Sequence, residues 1–265
     1  MAIDYTIDYQ CIPKQKLSTP GILERIKGRA RAQAVIDLFR KNGDLRPATE
    51  IGFEMSRSTP AGEPETRVVM VKDLLEAAAE LTPLADHCLG CPANNFGEPF
   101  GCYGLIEYPI SGAAELWLLN RLPVPDEPLP WLLLRRAIED ANDDAAEVSA
   151  LRAEGQPYFQ ERGVLARKLG EITVTSNQVF KMLFLMGSLK PAYAAVVLIF
   201  FGVIPRDLEA NELMRLSASP EDAFERYPFQ LHDAPDDDRS ITQFKRFWRA
   251  LYLAWGLNVR LLLDT

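Results

Sequence analysis

Apolar and polar positions alternate first between Ile3 and Tyr9, where Ile3, Tyr5 and Ile7 are separated by Asp4 and Thr6. A period of two predicts a half-buried strand, and Cys11 follows it directly. Ser18-Thr19-Pro20 then offers a capping hydroxyl and a proline whose missing N–H does no harm in a first turn. A helix is expected from about Pro20 to Asn42-Gly43, with Gly28 as a mild defect. Ile51, Phe53 and Met55 alternate again, Pro60-Ala61-Gly62 supplies a turn, and Thr66 to Val71 is rich in branched residues, which together predict a β-hairpin. A short Ala- and Leu-rich helix over Lys72 to Leu81 leads to the segment that holds most of the chain's cysteines.

Beyond Tyr108-Pro109 alternation gives way to helical spacing. Ala113 to Asn120 reads as one helix. Leu129 to Arg152 reads as a longer one, with Leu133, Ala137, Ala141, Ala145 and Val148 on one side. Thr175-Ser176-Asn177-Gln178 is a capping-box pattern ahead of a helix that stops near Gly187, and a second helix enters through Pro191. Ser240-Ile241-Thr242-Gln243 repeats the pattern, followed by the stripe Ile241, Phe244, Trp248, Leu251 and Trp255 up to Gly256. Val259 to Leu263 is expected to be a last strand.

These elements predict an α+β fold: a small N-terminal sheet with a cysteine-rich loop, packed on a mainly helical C-terminal part. The boundary is expected near residue 110, giving parts 1–110 and 111–265, or one core shared by both. The 265 residues, 48% of them apolar, suffice for a sizeable core. Met182 to Ile204 is the most membrane-like stretch, but its uninterrupted apolar run, Ala192 to Ile204, is short of the roughly 20 residues a spanning helix needs. It reads as a buried helical hairpin. The acidic start Met1-Ala2-Ile3-Asp4 does not fit a secretory signal, so a cytoplasmic protein without membrane contact is expected.

The densest chemistry lies in His87-Cys88-Leu89-Gly90-Cys91-Pro92 and Gly101-Cys102-Tyr103-Gly104, which carry three of the four cysteines. Clustered thiols in a reducing compartment favour metal or redox use over a disulfide framework. Cys88, Cys91 and Cys102 offer three soft ligands, and Cys11 is the natural fourth, with His232 and His87 in reserve. His87 is the poorer of these, because neighbouring residues point their side chains apart. Structural zinc is the leading expectation for the cofactor and an iron–sulfur cluster its alternative. A third reading leaves the cysteines without metal, as small buried side chains.

The chain is thus expected to be a metal-binding protein whose centre supports an interaction surface for a protein partner. One alternative is an iron–sulfur redox or substrate-binding enzyme with a pocket lined by Asn94, Asn95, Tyr103 and Tyr108. The spacing His87-Cys88 with proline after the Cys-x-x-Cys excludes the zinc-deaminase pattern. Phosphate-loop, dinucleotide-glycine and Gly-x-Ser-x-Gly motifs do not occur in this sequence.

Charge adds a further possibility. The net charge of −8 disfavours a general nucleic-acid binder, yet residues 14–46 hold nine Lys or Arg against three acids, a local +6 that leaves −14 for the rest. On a helix Arg25, Arg29 and Arg40 share one stripe while Lys27 and Arg31 fall opposite, so the cations form no single phosphate-binding face. Nucleic-acid binding through 14–46 is the third function class. Two acidic groups, Glu139 to Glu147 and Asp233 to Asp238, read as a solvated, ion-paired face and as acids favouring a helix N-terminus.

Overall fold

The computed structural model describes residues 2–58, 64–141, 145–153, 158–216 and 219–264. The protein is α+β, and its chain divides into two compact units, one made of Met1–Tyr9 with Cys91–Thr265 and the other of Gln10–Gly90. Position 110 lies inside the larger unit.

The larger unit begins with β1 (Ala2–Ile7). The smaller unit follows in the chain with α1 (Ile12–Leu17), α2 (Thr19–Lys41), a 3-10 turn at Ala48–Glu50, β2 (Gly52–Ser58), β3 (Pro64–Met70), α3 (Val71–Ala79) and a 3-10 helix at Thr82–Cys88. Helix α2 is capped as its sequence predicts, by Ser18 Oγ accepting from the Gly21 N–H at 3.2 Å. Gly28 is buried, and a Cβ there would meet Leu74 of α3 at 3.5 Å, an ordinary contact. β2 and β3 pair antiparallel from Gly52↔Met70 to Ser58↔Pro64, and Ala32, Ile51 and Val71 form the unit's own core. The expected turn at Pro60-Ala61-Gly62 lies outside the described residues.

The chain returns to the larger unit through β4 (Tyr103–Glu107) and α4 (Gly112–Asn120). The single long helix expected over 129–152 is instead two, α5 (Pro128–Ala141) and α6 (Ala146–Ala153), and Ala145 before α6 has φ +54°. A left-handed residue cannot continue a right-handed helix. A hairpin of β5 (Ala166–Leu169) and β6 (Ile172–Thr175), turning through Gly170 at φ +57°, was not expected from alternation. Helix α7 (Ser176–Phe184) carries the predicted capping box between Thr175 and Gln178. It passes through Gly187 at φ +65° and a two-residue strand β7 (Ser188–Leu189) into α8 (Pro191–Phe200), which is largely buried, as the apolar run predicts, and packs on α11 and α5. Among the described residues no helix is long and apolar enough to cross a membrane.

Helices α9 (Ala210–Arg215), α10 (Ala223–Arg226) and α11 (Arg239–Gly256) and strand β8 (Leu261–Asp264) complete the unit. The stripe on α11 is buried throughout. Its cap differs from the expected box. Asp238 accepts from the Ile241 N–H at 2.8 Å, Ser240 Oγ instead accepts from the Ser111 N–H at 3.2 Å, and Gln243 bonds to Glu107 of β4. The sheet order is β4-β1-β8-β7, all antiparallel, so both ends of the chain meet in one sheet. Central β1 is buried on both faces, Asp4 and Thr6 included. Helix α11 packs on β1, β4, α4 and α8.

Candidate functional site: a groove between the 91–104 loop and helix α11

The loop after Cys91 is built by its own backbone. Asn94 N–H donates to the Cys91 carbonyl (3.0 Å), Asn95 N–H to Gly101 (3.0 Å), Gly101 N–H to Glu98 (2.9 Å) and Tyr103 N–H to Phe100 (3.0 Å). Gly97 at φ +70° makes the tip, and Phe100 is held at φ +62°, a conformation an aromatic residue adopts at a cost of about 1–3 kcal/mol. Gly101 admits the Asn94 side chain, whose Oδ1 lies 2.0 Å from a hypothetical Cβ. Asn95 Nδ2 reaches the Arg246 carbonyl at 3.1 Å and so ties the loop to α11.

Two adjoining pockets open along this seam. One, of about 350 Å³, is lined by Tyr5, Phe96, Glu98, Tyr103, Gln243 and Arg246 among others. The other, of about 300 Å³, is lined by Asn95, Phe96, His232, Asp233, Arg246 and Arg249, and by the buried Lys245. Phe96 and Arg246 belong to both, and the guanidinium sits 5.7 Å from the ring centroid, within cation–π range. Their pairing forms the partition of one groove.

The groove's charges are unevenly engaged. Lys245 is buried, ion-paired to Asp237, and donates to the His232 carbonyl at 2.6 Å. Burial pushes the Asp237 carboxyl up, but the Lys245 ammonium and the Ala234 N–H, which donate to it, more than offset this and hold it below its ordinary value. Gln243 is fixed by Glu107. Arg246 and Arg249 are exposed and have no ion-pair partner among the described residues.

Two polar atoms here are buried and bonded to nothing among the described residues: the Tyr5 hydroxyl and Asn95 Oδ1. Tyr5 is 2% exposed, and burial pushes its phenol well up, against a smaller downward pull from Arg246. It remains a hydrogen-bond donor at any physiological pH.

The structure brings Asn95 and Tyr103 to the groove, as the sequence suggests, with Asn94 folded over Gly101 behind them. Tyr108 goes elsewhere, meeting Tyr158 edge-on at 4.8 Å, where burial and that neighbour raise its hydroxyl to about 12. Tyr5, Phe96 and Arg246 are additional. Tyr5 lies in a strand marked by alternation and Arg246 on a helix marked by an apolar stripe, and neither pattern marks a groove.

All four cysteines are thiols. Cys91 and Cys102 lie in the larger unit, half-buried against its core. Cys11, at the N-cap of α1, and the buried Cys88, ending the 3-10 helix, lie in the smaller one, as does the exposed His87. His232 lines the second pocket. Among the described residues no three His, Cys, Asp or Glu side chains form a group that could hold a metal ion.

In the smaller unit the basic segment is partly engaged. Arg25 pairs with Glu80 and Arg46 with Asp44, each at 2.7 Å, and Arg40 donates to the carbonyls of Asp44 and Arg46. Of the acids on α5 and α6, Glu139 pairs with Arg135 and Glu147 with Lys181, while Asp143 and Asp144 lie outside the described residues.

Comparison with protein-family models, with curated proteins and with solved structures gives no match for this chain.

Proposed function

We propose that the protein binds a small polar molecule in the groove between the 91–104 loop and α11. The observation that carries this reading is the buried Tyr5 hydroxyl in a groove wall, without a hydrogen-bond partner among the described residues. A buried hydroxyl without a partner costs about 1–3 kcal/mol, and a ligand that bonds to it recovers that cost. Concave sites with a few convergent polar groups beside aromatic walls are the usual form of small-molecule pockets. The strained Phe100 supports the same loop, since such residues gather at ligand clamps.

The test is thermal unfolding against a panel of small metabolites, with Phe96→Ala as the altered groove. At least one compound should raise the Tm of the wild type and leave the variant unmoved, because a ligand stabilises only the state it binds. A panel without effect, or shifts equal in both proteins, would contradict the reading.

A second reading makes the thiols metal ligands, zinc first and an iron–sulfur cluster as the alternative. It is supported by the Cys88-x-x-Cys91 spacing and by Cys102 lying on the same hydrogen-bonded loop as Cys91. Elemental analysis of anaerobically purified protein should then find about one metal centre per chain, lost together with stability in Cys91→Ser. Unchanged metal content and melting in that variant would sink it.

A further inference from the structure

The groove reading can be carried to a ligand class from the charges that face it. Lys245, Asp237, Gln243 and Glu107 satisfy one another, so they offer little to an incoming molecule. What remains is Arg246, which lines both pockets, Arg249 one helical turn further in the second, and one carboxylate in each lining, Glu98 in the first and Asp233 in the second, against the two guanidinium groups. Residues three apart on a helix share a face, so both guanidinium groups address the same space. Arginine is charged at every physiological pH and its planar fork matches the two oxygens of a carboxylate or phosphate.

Resting on the groove reading, we infer that the occupant is a small organic anion, a carboxylate or a phosphate ester. Its charged end is held by Arg246 and Arg249, with the Tyr5 hydroxyl donating to it on one side of Phe96 and Asn95 Oδ1 accepting from a ligand hydroxyl or ammonium on the other. Phe96 supplies an apolar wall for the ligand's carbon skeleton. The Asn95 side chain is already oriented for this, because one Nδ2 hydrogen is committed to the Arg246 carbonyl and its oxygen has no partner among the described residues. The two pockets, about 350 and 300 Å³, suit a molecule of metabolite size rather than a macromolecule.

The experiment is thermal unfolding of the full chain with sodium phosphate, sodium succinate and neutral succinamide, at constant ionic strength set with sodium chloride, on wild type, Arg246→Gln and Arg249→Gln. Both arginines are exposed, so the variants should fold, which their melting without additive verifies. Phosphate or succinate should raise the wild-type Tm saturably by about 2–4 °C at millimolar concentration. Arg246→Gln should weaken the apparent affinity at least about tenfold and Arg249→Gln by less, as charge-assisted bonds are the strong ones. A larger effect of succinate assigns a carboxylate and a larger effect of phosphate assigns a phosphate ester. Shifts that persist in both variants, or no shift with either anion, overturn the anion assignment. Succinamide acting as well as succinate also overturns it but leaves the groove reading standing, whereas the panel with Phe96→Ala judges the groove itself.

Discussion

Tyr5 and Gly104 are direct partners across β1 and β4, and the phenol ring occupies the space that a side chain at residue 104 would need. A Cβ there would stand 2.3 Å from Tyr5 Cζ and 2.4 Å from Oη. On its other side Tyr5 meets Phe247 of α11 edge-on at 5.4 Å. The ring is therefore clamped between sheet and helix. Gly104→Ala should destabilise the protein by about 1–3 kcal/mol in urea unfolding, the range for overpacking. Adding Tyr5→Leu, which vacates the notch, should remove most of that extra cost. Additive losses in the double variant would show that the ring is not what the new methyl group meets.

The buried pair Glu115–Arg152 should behave unlike the exposed pairs. Glu115 is 0% exposed, and Arg152 also bonds to Asn177 Oδ1 at 2.6 Å and Ser176 Oγ at 3.1 Å and lies 3.8 Å over the Phe159 ring. Glu115→Gln leaves a buried guanidinium short of its counter-charge, with an expected loss of about 3–5 kcal/mol. Glu139→Gln on α5, which breaks an exposed pair one turn long, should cost less than about 0.5 kcal/mol. Similar losses in equilibrium unfolding of the two variants would contradict the burial argument.

Asp237 and Lys245 make a prediction in pH. The folded-state carboxyl lies below its ordinary value of 3.8, so its contribution is complete above about that pH and is lost as pH falls through the lowered value. In Lys245→Met the ammonium is gone and only the Ala234 N–H and the charge of Arg121 still oppose burial at Asp237, which should raise its folded pKa. The stability difference between wild type and variant should then shrink steadily on acidification below about pH 5. A difference constant with pH would mean that the pair does not set the ionisation of Asp237.

The elements readable from sequence are those whose signals are local. Ser18 capping α2, the Thr175–Gln178 box of α7 and the buried stripe of α11 each depend on residues within one or two turns. The break at Ala145 was hidden because alanine is the best helix former, and nothing in its immediate sequence demands a positive φ. The β5–β6 hairpin was hidden for the opposite reason: Ala166-Arg-Lys-Leu169 lacks the branched residues that mark strands, and only its pairing with Ile172–Thr175 makes it one. The union of β1 with β8, more than 250 residues away, leaves no trace in either segment.

The same division holds for the site. Asn95 and Tyr103 stood out because they sit in the glycine- and cysteine-rich loop, whose punctuation is visible in the chain. Arg246 was one of many charges on the polar side of α11, and Tyr5 one of several apolar residues in β1. Their meeting at Phe96 is a product of tertiary packing.

The most direct measurement is Tyr5→Phe, read both as urea unfolding of the ligand-free protein and as affinity for phosphate or succinate. If the hydroxyl is held in reserve for a ligand, the ligand-free variant should be as stable as wild type or up to about 1 kcal/mol more stable, since a buried group with no partner is deleted. Its affinity for the anion should fall several-fold. A variant that is less stable yet binds the anion as well as wild type would assign the hydroxyl to the fold and contradict the groove as its purpose.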